Sequence, residues 1–278
     1  MIELDIDKKT CTRCGRCVAV CTARILTQEK RKGDIGTVNP QTCIECGQCV
    51  AICPTDSIEH SSFIGNKNIH KVKKDLIPSP RALLELMRKR RSNRTFSQRE
   101  VPMKHLDMIL EAANLAPTAR NGRPLKYTLI TNPDTLQALH EATMKVCRKL
   151  NKQAEASDNE KQTANMAMFR RLISTSESGY EVILRKAKAV ILIHGEDLNT
   201  TADANLAYQN ASLMAEALGV AHFYTGYVRL FSIHDTENVI KSSVGIKGHI
   251  LAGMALGMPK YKFDKYIERD DLDVDRLV

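Results

Sequence analysis

The stretch CTRCGRCVAVC at residues 11–21 places four cysteines within eleven residues. The stretch CIECGQCVAIC at residues 43–53 repeats this spacing 32 positions further along the chain. With the threonine that precedes each run, the two segments align without a gap. Both have glycine after the second cysteine and a Val-Ala pair before the last one. The first quarter of the chain therefore contains an internal repeat built around thiols.

Eight clustered cysteines are expected to be metal or redox ligands rather than four disulfides. The chain has no apolar run near the roughly eighteen residues that a membrane span needs, and MIELDIDKKTC at its start lacks the apolar core of a signal peptide. We therefore expect a cytoplasmic protein, and the cytoplasm keeps thiols reduced. Zinc remains an alternative to iron–sulfur clusters. It usually takes two close cysteines from each of two separated knuckles, which two runs of four fit poorly.

The spacing C-x2-C-x2-C-x3-C resembles that of bacterial two-cluster ferredoxins over about residues 1–60. In that family the last cysteine of each run binds the cluster of the other run. The resemblance implies two [4Fe–4S] clusters, one held by Cys11, Cys14, Cys17 and Cys53 and the other by Cys43, Cys46, Cys49 and Cys21. The ninth cysteine, Cys147, lies in a helical pattern and is interpreted as a small buried residue.

The rest of the chain is predicted to form a linker and a larger domain. Residues 61–78 are polar and basic and show no periodicity, whereas Ser79-Pro80 is typical of a helix start. Over residues 79–278, helical patterns alternate with strand-like runs such as KYTLIT, AVILIH and the glycine-rich GHILAGMALG. The predicted fold class is α+β, a small ferredoxin-like two-cluster domain at 1–60 followed by a sheet domain. The polar stretch 151–180 is predicted to be an exposed, partly helical excursion.

The larger domain lacks the common nucleotide-binding loops. No G-x-G-x-x-G follows a strand and no G-x-x-x-x-G-K-[ST] occurs. Instead, the basic run RKRRSNRTF at residues 88–96 stands where a helix is predicted to end. Arginine forks and a serine hydroxyl suit phosphate oxygens, but a basic helix end is also commonly a solvated surface. Taken alone, the run leaves both interpretations open.

Four stretches resemble, in family order, the motifs of the nitroreductase family of FMN enzymes. They are RRSNRTF, APTARNGRPLKYTLIT, AYQNASLMAEALGVAHFYTGY and LAGMALGMPKYK, and together they span about residues 80–270. The resemblance implies a nitroreductase-type α+β sheet domain, FMN as cofactor, and a homodimer with each FMN at the subunit interface. It also implies FMN-contacting residues: Arg90, Arg91 and Ser92 at the phosphate and ribityl chain, Arg94 beside the pyrimidine edge, Asn121 at the flavin, and Thr225 and Gly226 facing the ring. Lys262 and Arg269 are candidates for the last phosphate contacts.

These features predict an FMN-dependent oxidoreductase that passes electrons between [4Fe–4S] clusters and FMN to reduce nitroaromatic, quinone or related small acceptors. External ferredoxin or NAD(P)H is the expected donor. No catalytic side chain is predicted, because the cofactor carries the chemistry. Three alternatives stay open: electrons leaving through the clusters, an electron-carrying partner protein without its own substrate, and clusters that serve only structure.

Nucleic acid and membranes are not expected partners. The formal charge is +9, but two ligated clusters at about −2 each and a flavin phosphate at about −2 would offset most of it. With no tryptophan and 5% aromatic residues, the chain shows no basic-aromatic surface on which bases could stack.

Overall fold

The computed structural model describes residues 2–66, 69–157, 165–270 and 272–277. Two compact units are present, one comprising Met1–Ile77 with Ala119–Arg123 and the other Pro78–Thr118 with Pro124–Val278. The first unit thus includes nearly all of the linker predicted at 61–78, as well as a short segment, 119–123, from within the large predicted domain. The mixture of helices and antiparallel sheets confirms the predicted α+β class.

The first unit is organised by the two cysteine runs. Gly15 and Gly47, which are equivalent in the repeat, both have left-handed backbone with φ of 74° and 71°, a conformation that glycine adopts without a steric penalty. Each glycine precedes a short helix that carries the third cysteine of its run. These helices are α1 (Arg16–Val20) and α2 (Gln48–Ile52).

Two small antiparallel ribbons complete the first unit. Strand β1 (Leu4–Ile6) pairs with β4 (Ile58–His60), and β2 (Leu26–Thr27) pairs with β3 (Gly36–Thr37). The small core formed between them packs against the cysteine side chains, and its buried members are Cys17, Ile25, Leu26, Ile35, Val50 and Ile58. Short 3-10 helices occupy Pro40–Thr42, Ser61–Asn66 and Lys74–Leu76.

The second unit is built on a four-stranded antiparallel sheet. Its strands are β5 (Lys126–Ile130), β6 (Ala189–Gly195), β7 (Ala221–Tyr224) and β8 (His249–Gly257), in the order β5-β6-β8-β7. Because side chains alternate between the two faces of a strand, a strand covered on both faces is apolar throughout. The run AVILI in β6 is buried on both faces: Val190 and Leu192 join one core, and Ile191 and Ile193 join the other.

Helices cover both faces of this sheet. The described helices are α3 (Pro80–Lys89), α4 (Met103–Asn114), α5 (Pro133–Glu155), α6 (Met166–Glu177), α7 (Thr201–Ala217), α8 (Gly226–Ile233) and α9 (Val239–Ser243). The core that includes Ile191 contains buried residues of α4 and α7, where alanines at 204, 207, 211 and 215 allow close packing. The other core contains residues of α5, α6 and α8, including the buried Cys147.

Two sequence expectations take a more definite form in the structure. Ser79 caps α3, since its Oγ accepts the Ala82 N–H at 3.2 Å, yet the apolar stripe of this helix remains exposed at Leu83, Leu84 and Met87. The stretch 151–180 is partly helical as predicted, containing the end of α5 and all of α6, but it is not wholly exposed, because Phe169 and Leu172 of α6 are buried in the core. Its residues 158–164 lie outside the described part of the chain.

Candidate functional site

The first unit gathers cysteines from both runs around one cavity. Its lining includes Cys11, Cys14 and Cys17 of the first run together with Cys53, the last cysteine of the second run. All eight cysteines of the repeat are free thiols. The structure therefore brings together the four side chains that the ferredoxin resemblance assigns to one cluster.

The other predicted group also combines the two runs, since Cys21 of the first run lies near Cys43, Cys46 and Cys49 of the second. The pKa of the Cys49 thiol is raised to about 11, chiefly by burial and in smaller part by the like charge of Cys43, Cys46 and Cys21. Cys21 thus lies close enough to the second run to act on it electrostatically.

N–H groups point at several of these sulfurs. The main-chain N–H of Arg13 donates to Cys11 Sγ at 3.4 Å, and the equivalent N–H of Glu45 donates to Cys43 Sγ at 3.4 Å. The N–H of Ser57 donates to Cys53 Sγ at 3.3 Å. Hydrogen bonds of this kind stabilise negative charge on cysteinyl sulfur. Free thiols grouped in fours, with donors already directed at them, fit an iron–sulfur cluster.

In the second unit, the basic run and the C-terminal stretch line a common cavity. As α3 ends, the chain passes through Arg90, Arg91 and Ser92, and all three line a cavity of about 890 Å³. Arg269 lines the same cavity from the far end of the sequence. The cavity therefore brings Arg90, Arg91 and Ser92 together with Arg269, which is one of the two candidates for a further phosphate contact.

Arg91 is held in place but retains an unused donor. Its Nη2 donates to the Lys265 carbonyl at 3.3 Å, and its guanidinium carbon lies 5.6 Å from the centre of the Phe263 ring. Its Nε is buried and has no hydrogen-bond partner among the described residues. A buried donor without a partner costs about 1–3 kcal/mol, so this atom is suited to an anionic ligand.

The two residues predicted to face the flavin ring lie where β7 meets α8. The Thr225 N–H donates to the Gly253 carbonyl at 2.9 Å, while its Oγ1 is buried and unpaired among the residues described. A Cβ at Gly253 would lie only 2.3 Å from this oxygen, so Gly253 is required for this close approach. Gly226 begins α8, and its amide therefore lies in the positive first turn of that helix.

Arg94 and Lys262 occupy positions beside the arginine-lined cavity. The Arg94 guanidinium lies over the ring of Phe223, 5.5 Å from its centre, and Phe223 in turn stacks on Phe96. Lys262 lines a second cavity of about 300 Å³ together with Arg91. Lys262 therefore shares a cavity with Arg91, and Arg94 lies close enough to Tyr208 to act on its phenol together with Arg90.

Asn121 is placed differently from the other predicted FMN residues. It belongs to the segment 119–123 of the first unit, where its Nδ2 donates to the carbonyls of Ile44 and Glu45, each at 3.0 Å. These carbonyls lie between the first two cysteines of the second run. In this structure Asn121 therefore supports the cysteine loop, a role that its match to a flavin motif does not indicate.

Two further residues at these sites were missed by sequence reasoning. Tyr208 packs edge-to-face on Tyr224 at 4.8 Å, and burial raises the pKa of its phenol to about 12, opposed by the nearby cations Arg90 and Arg94. His60 lies 3.5 Å from Cys43 Sγ through its Nε2. His60 is equivalent to Gln28 in the repeat. A histidine opposite a glutamine is a difference between the two halves that could have drawn attention to His60 from the sequence alone.

Comparison with known families covers most of the chain. The model of the nitroreductase family matches residues 87–258, more than half of the chain, and that of a 4Fe-4S dicluster domain matches residues 3–54. A putative NADH dehydrogenase/NAD(P)H nitroreductase of Methanothermobacter thermautotrophicus is 23% identical over 201 residues, which cover 70% of this chain and 85% of that protein. Iodotyrosine deiodinase 1 of Homo sapiens is 30% identical over 79 residues, 28% of this chain, and the chain spans only 26% of that protein.

Solved structures share the fold of the larger unit. A nitroreductase with bound FMN from Bacteroides fragilis has a TM-score of 0.53 at 19% identity, covering 70% of this chain and 98% of that one. A nitroreductase with bound FMN from Desulfitobacterium hafniense has a TM-score of 0.55 at 18% identity, covering 70% and 97%. None of the helices described is long and apolar enough to cross a membrane. The chain belongs to the nitroreductase family of FMN-dependent oxidoreductases and carries a 4Fe–4S dicluster domain ahead of its nitroreductase domain.

Proposed function

We propose that this chain passes electrons between two [4Fe–4S] clusters and FMN and so reduces nitroaromatic, quinone or related small acceptors. One observation carries the proposal. The chain combines groups of free thiols drawn from both cysteine runs with an arginine-lined cavity in a nitroreductase domain. When bound, the clusters supply single electrons and FMN supplies electrons to an acceptor in pairs.

The residues of the first unit hold and stabilise negative charge. Cys11, Cys14, Cys17 and Cys53 would bind one cluster, and Cys43, Cys46, Cys49 and Cys21 the other. The main-chain donors of Arg13, Glu45 and Ser57 lie 3.3–3.4 Å from their sulfurs. Because they are part of the folded backbone, these donors are already oriented before any electron arrives.

The residues of the second unit bind an anionic cofactor and orient it. Arg90, Arg91, Ser92 and Arg269 would hold the FMN phosphate, since guanidinium groups donate paired hydrogen bonds to phosphate oxygens. Thr225 and Gly226 would face the flavin ring. Arg94 would place a positive charge beside the pyrimidine edge, where it stabilises the negative charge of the reduced ring. Lys262 is proposed as a further contact, whereas the Asn121 amide is bonded to the carbonyls of Ile44 and Glu45 in the first unit and is not counted among the FMN contacts.

The proposed assembly is a homodimer that takes electrons from NAD(P)H or an external ferredoxin. Leu83, Leu84 and Met87 of α3 are 38%, 47% and 46% exposed and form one apolar stripe. Burial of such a stripe stabilises association by about 25 cal/mol per Å² of apolar surface removed from water. A second copy of the chain is proposed to cover this surface, because the resemblance to the nitroreductase family implies a homodimer.

Replacement of Arg91 by alanine is expected to weaken FMN binding by about 10–100-fold. A hydrogen bond to a charged group contributes about 1.5–3 kcal/mol, and each 1.4 kcal/mol changes the dissociation constant about tenfold. Flavin fluorescence titration of the FMN-free protein measures the constant directly. Arg91→Lys should fall between, because it keeps the charge but loses the fork. The exposed Arg99→Ala is the matched control, and equal affinities for the Arg91→Ala variant and this control would contradict the assignment.

The crossed ligation predicts which cysteine variants behave alike. Cys53→Ser should remove the same electron paramagnetic resonance signal of a reduced cluster as Cys11→Ser, although the two residues are in different runs. Cys21→Ser should pair in the same way with Cys43→Ser. Cys147→Ala should retain both signals. If Cys53→Ser instead matched Cys43→Ser, each run would hold its own cluster and the crossed assignment would be wrong.

The function itself is tested by anaerobic turnover with reduced ferredoxin as the electron donor. Wild type should reduce a nitroaromatic acceptor with reduced ferredoxin, and a Cys11→Ala/Cys43→Ala variant should retain FMN but lose at least tenfold of this rate. Cys147→Ala serves as control. Equal ferredoxin-driven rates in the double variant and the control would mean that the clusters serve structure only. Absence of turnover with any acceptor, despite electron exchange with ferredoxin, would indicate a carrier protein.

A further inference from the structure

His60 approaches the second cysteine run from the end of β4. Its side chain is 4% exposed, and its Nε2 lies 3.5 Å from Cys43 Sγ. A polar side chain this deeply buried needs a hydrogen-bond partner for each polar atom. The sulfur of Cys43 is the partner found for Nε2.

The hydrogen-bonding pattern identifies which ring nitrogen carries the proton. The main-chain N–H of Ser62 donates to His60 Nδ1 at 3.1 Å. A neutral imidazole that accepts at one nitrogen carries its proton on the other. Nε2–H therefore donates to Cys43 Sγ, so His60 is a hydrogen-bond donor to a cysteine that is a proposed cluster ligand.

The ring of His60 is fixed by its neighbours. It packs on Phe63 with ring centres 5.0 Å apart. Ser62, whose N–H fixes the proton, donates its own Oγ–H to Glu45 Oε2 at 2.5 Å. The N–H of Glu45 is the main-chain donor to Cys43 Sγ. One short network therefore directs two N–H donors, one from the main chain and one from His60, at the same sulfur.

The internal repeat provides a comparison within the molecule. Gln28 is equivalent to His60, yet its Nε2 donates to the carbonyls of Arg13 and Gly33, at 3.1 and 2.8 Å. The main-chain donor to the first cysteine is the same in both halves. In the part of the chain that the structure describes, a side-chain donor to the first cysteine of a run occurs at Cys43 and not at Cys11.

We propose that His60 is a positioning residue that raises the reduction potential of the cluster held by Cys43, Cys46, Cys49 and Cys21. This inference rests on the proposed function, since it requires that cluster. An added electron increases the negative charge on the ligand sulfurs, so a fixed N–H donor stabilises the reduced state more than the oxidised one. Burial strengthens the effect, because a hydrogen bond is electrostatically stronger in a medium of low dielectric constant.

The first group of cysteines receives different donors. Cys53 accepts the N–H of Ser57 and lies 3.8 Å from the Thr55 hydroxyl. The inference therefore concerns the potential of the second cluster with and without His60. Its effect is measured between variants and does not depend on the order of the two wild-type potentials.

The test is an anaerobic redox titration of the holoprotein monitored by electron paramagnetic resonance. His60→Leu and His60→Phe should both make reduction of one cluster about tenfold less favourable, which is ~59 mV for one electron, and leave the other cluster unchanged. The exposed His70→Leu is the control. With 15N-labelled histidine, the reduced wild-type cluster should show a nitrogen coupling that His60→Leu lacks.

The possible outcomes separate this inference from the proposed function. Two clusters in every variant with unchanged potentials, or no nitrogen coupling in wild type, would overturn the role of His60 alone. A wild-type protein that holds fewer than two clusters would overturn the proposed function and this inference with it. If one His60 variant fails to fold, the other variant and the nitrogen coupling in wild type still decide the question.

Discussion

The first unit depends on one constraint: thiols far apart in sequence must meet in space. Cys53 lies beside Cys11, Cys14 and Cys17, and Cys21 lies near the second run. Neither run can then reach its place unless the other has folded. A small apolar core accompanies this arrangement, and metal ligation contributes folding free energy directly in many small metal-binding domains. Ligation of the proposed clusters would add to this stability, and the paired ribbons would align the cysteines for it.

The proposed function poses the same physical problem in both units, because it delivers electrons as negative charge to partly buried groups. In the first unit the answer is a set of main-chain N–H groups aimed at sulfur. In the second it is a group of arginines with a buried, unpaired donor at Arg91. Such donors are oriented by the fold, so little reorganisation accompanies the arrival of charge. This shared property is what makes the two units compatible parts of one proposed electron path.

The sequence predicted the α+β fold, and several residues of the proposed FMN site line one cavity in the structure. The spacing of cysteines, the apolar run of β6 and the cap at Ser79 each follow from local rules, and each has its structural counterpart. Arg90, Arg91 and Ser92 are adjacent in the chain, so their joint cavity was foreseeable. Arg269 was the harder prediction, because only tertiary structure brings it to the cavity that Arg90 lines.

The remaining features depend on long-range contacts that no local pattern encodes. Asn121 stands in a flavin motif, yet its amide bonds the carbonyls of Ile44 and Glu45 in the cysteine loop. His60 follows its nearest cysteine by seven positions and reaches Cys43 only through the pairing of β4 with β1. Alignment of the two repeat halves shows a histidine opposite Gln28, but the bonds that each makes are visible only in the folded protein.

The central claim is that clusters and flavin form one electron path, and a stopped-flow experiment tests it most directly. Fully reduced protein would be mixed anaerobically with a nitroaromatic acceptor while the iron–sulfur and flavin absorption bands are followed together. The account predicts that both bands reoxidise, and that the iron–sulfur band does so at least as fast as steady-state turnover. Rapid reoxidation of the flavin with clusters that stay reduced over many turnovers would contradict it.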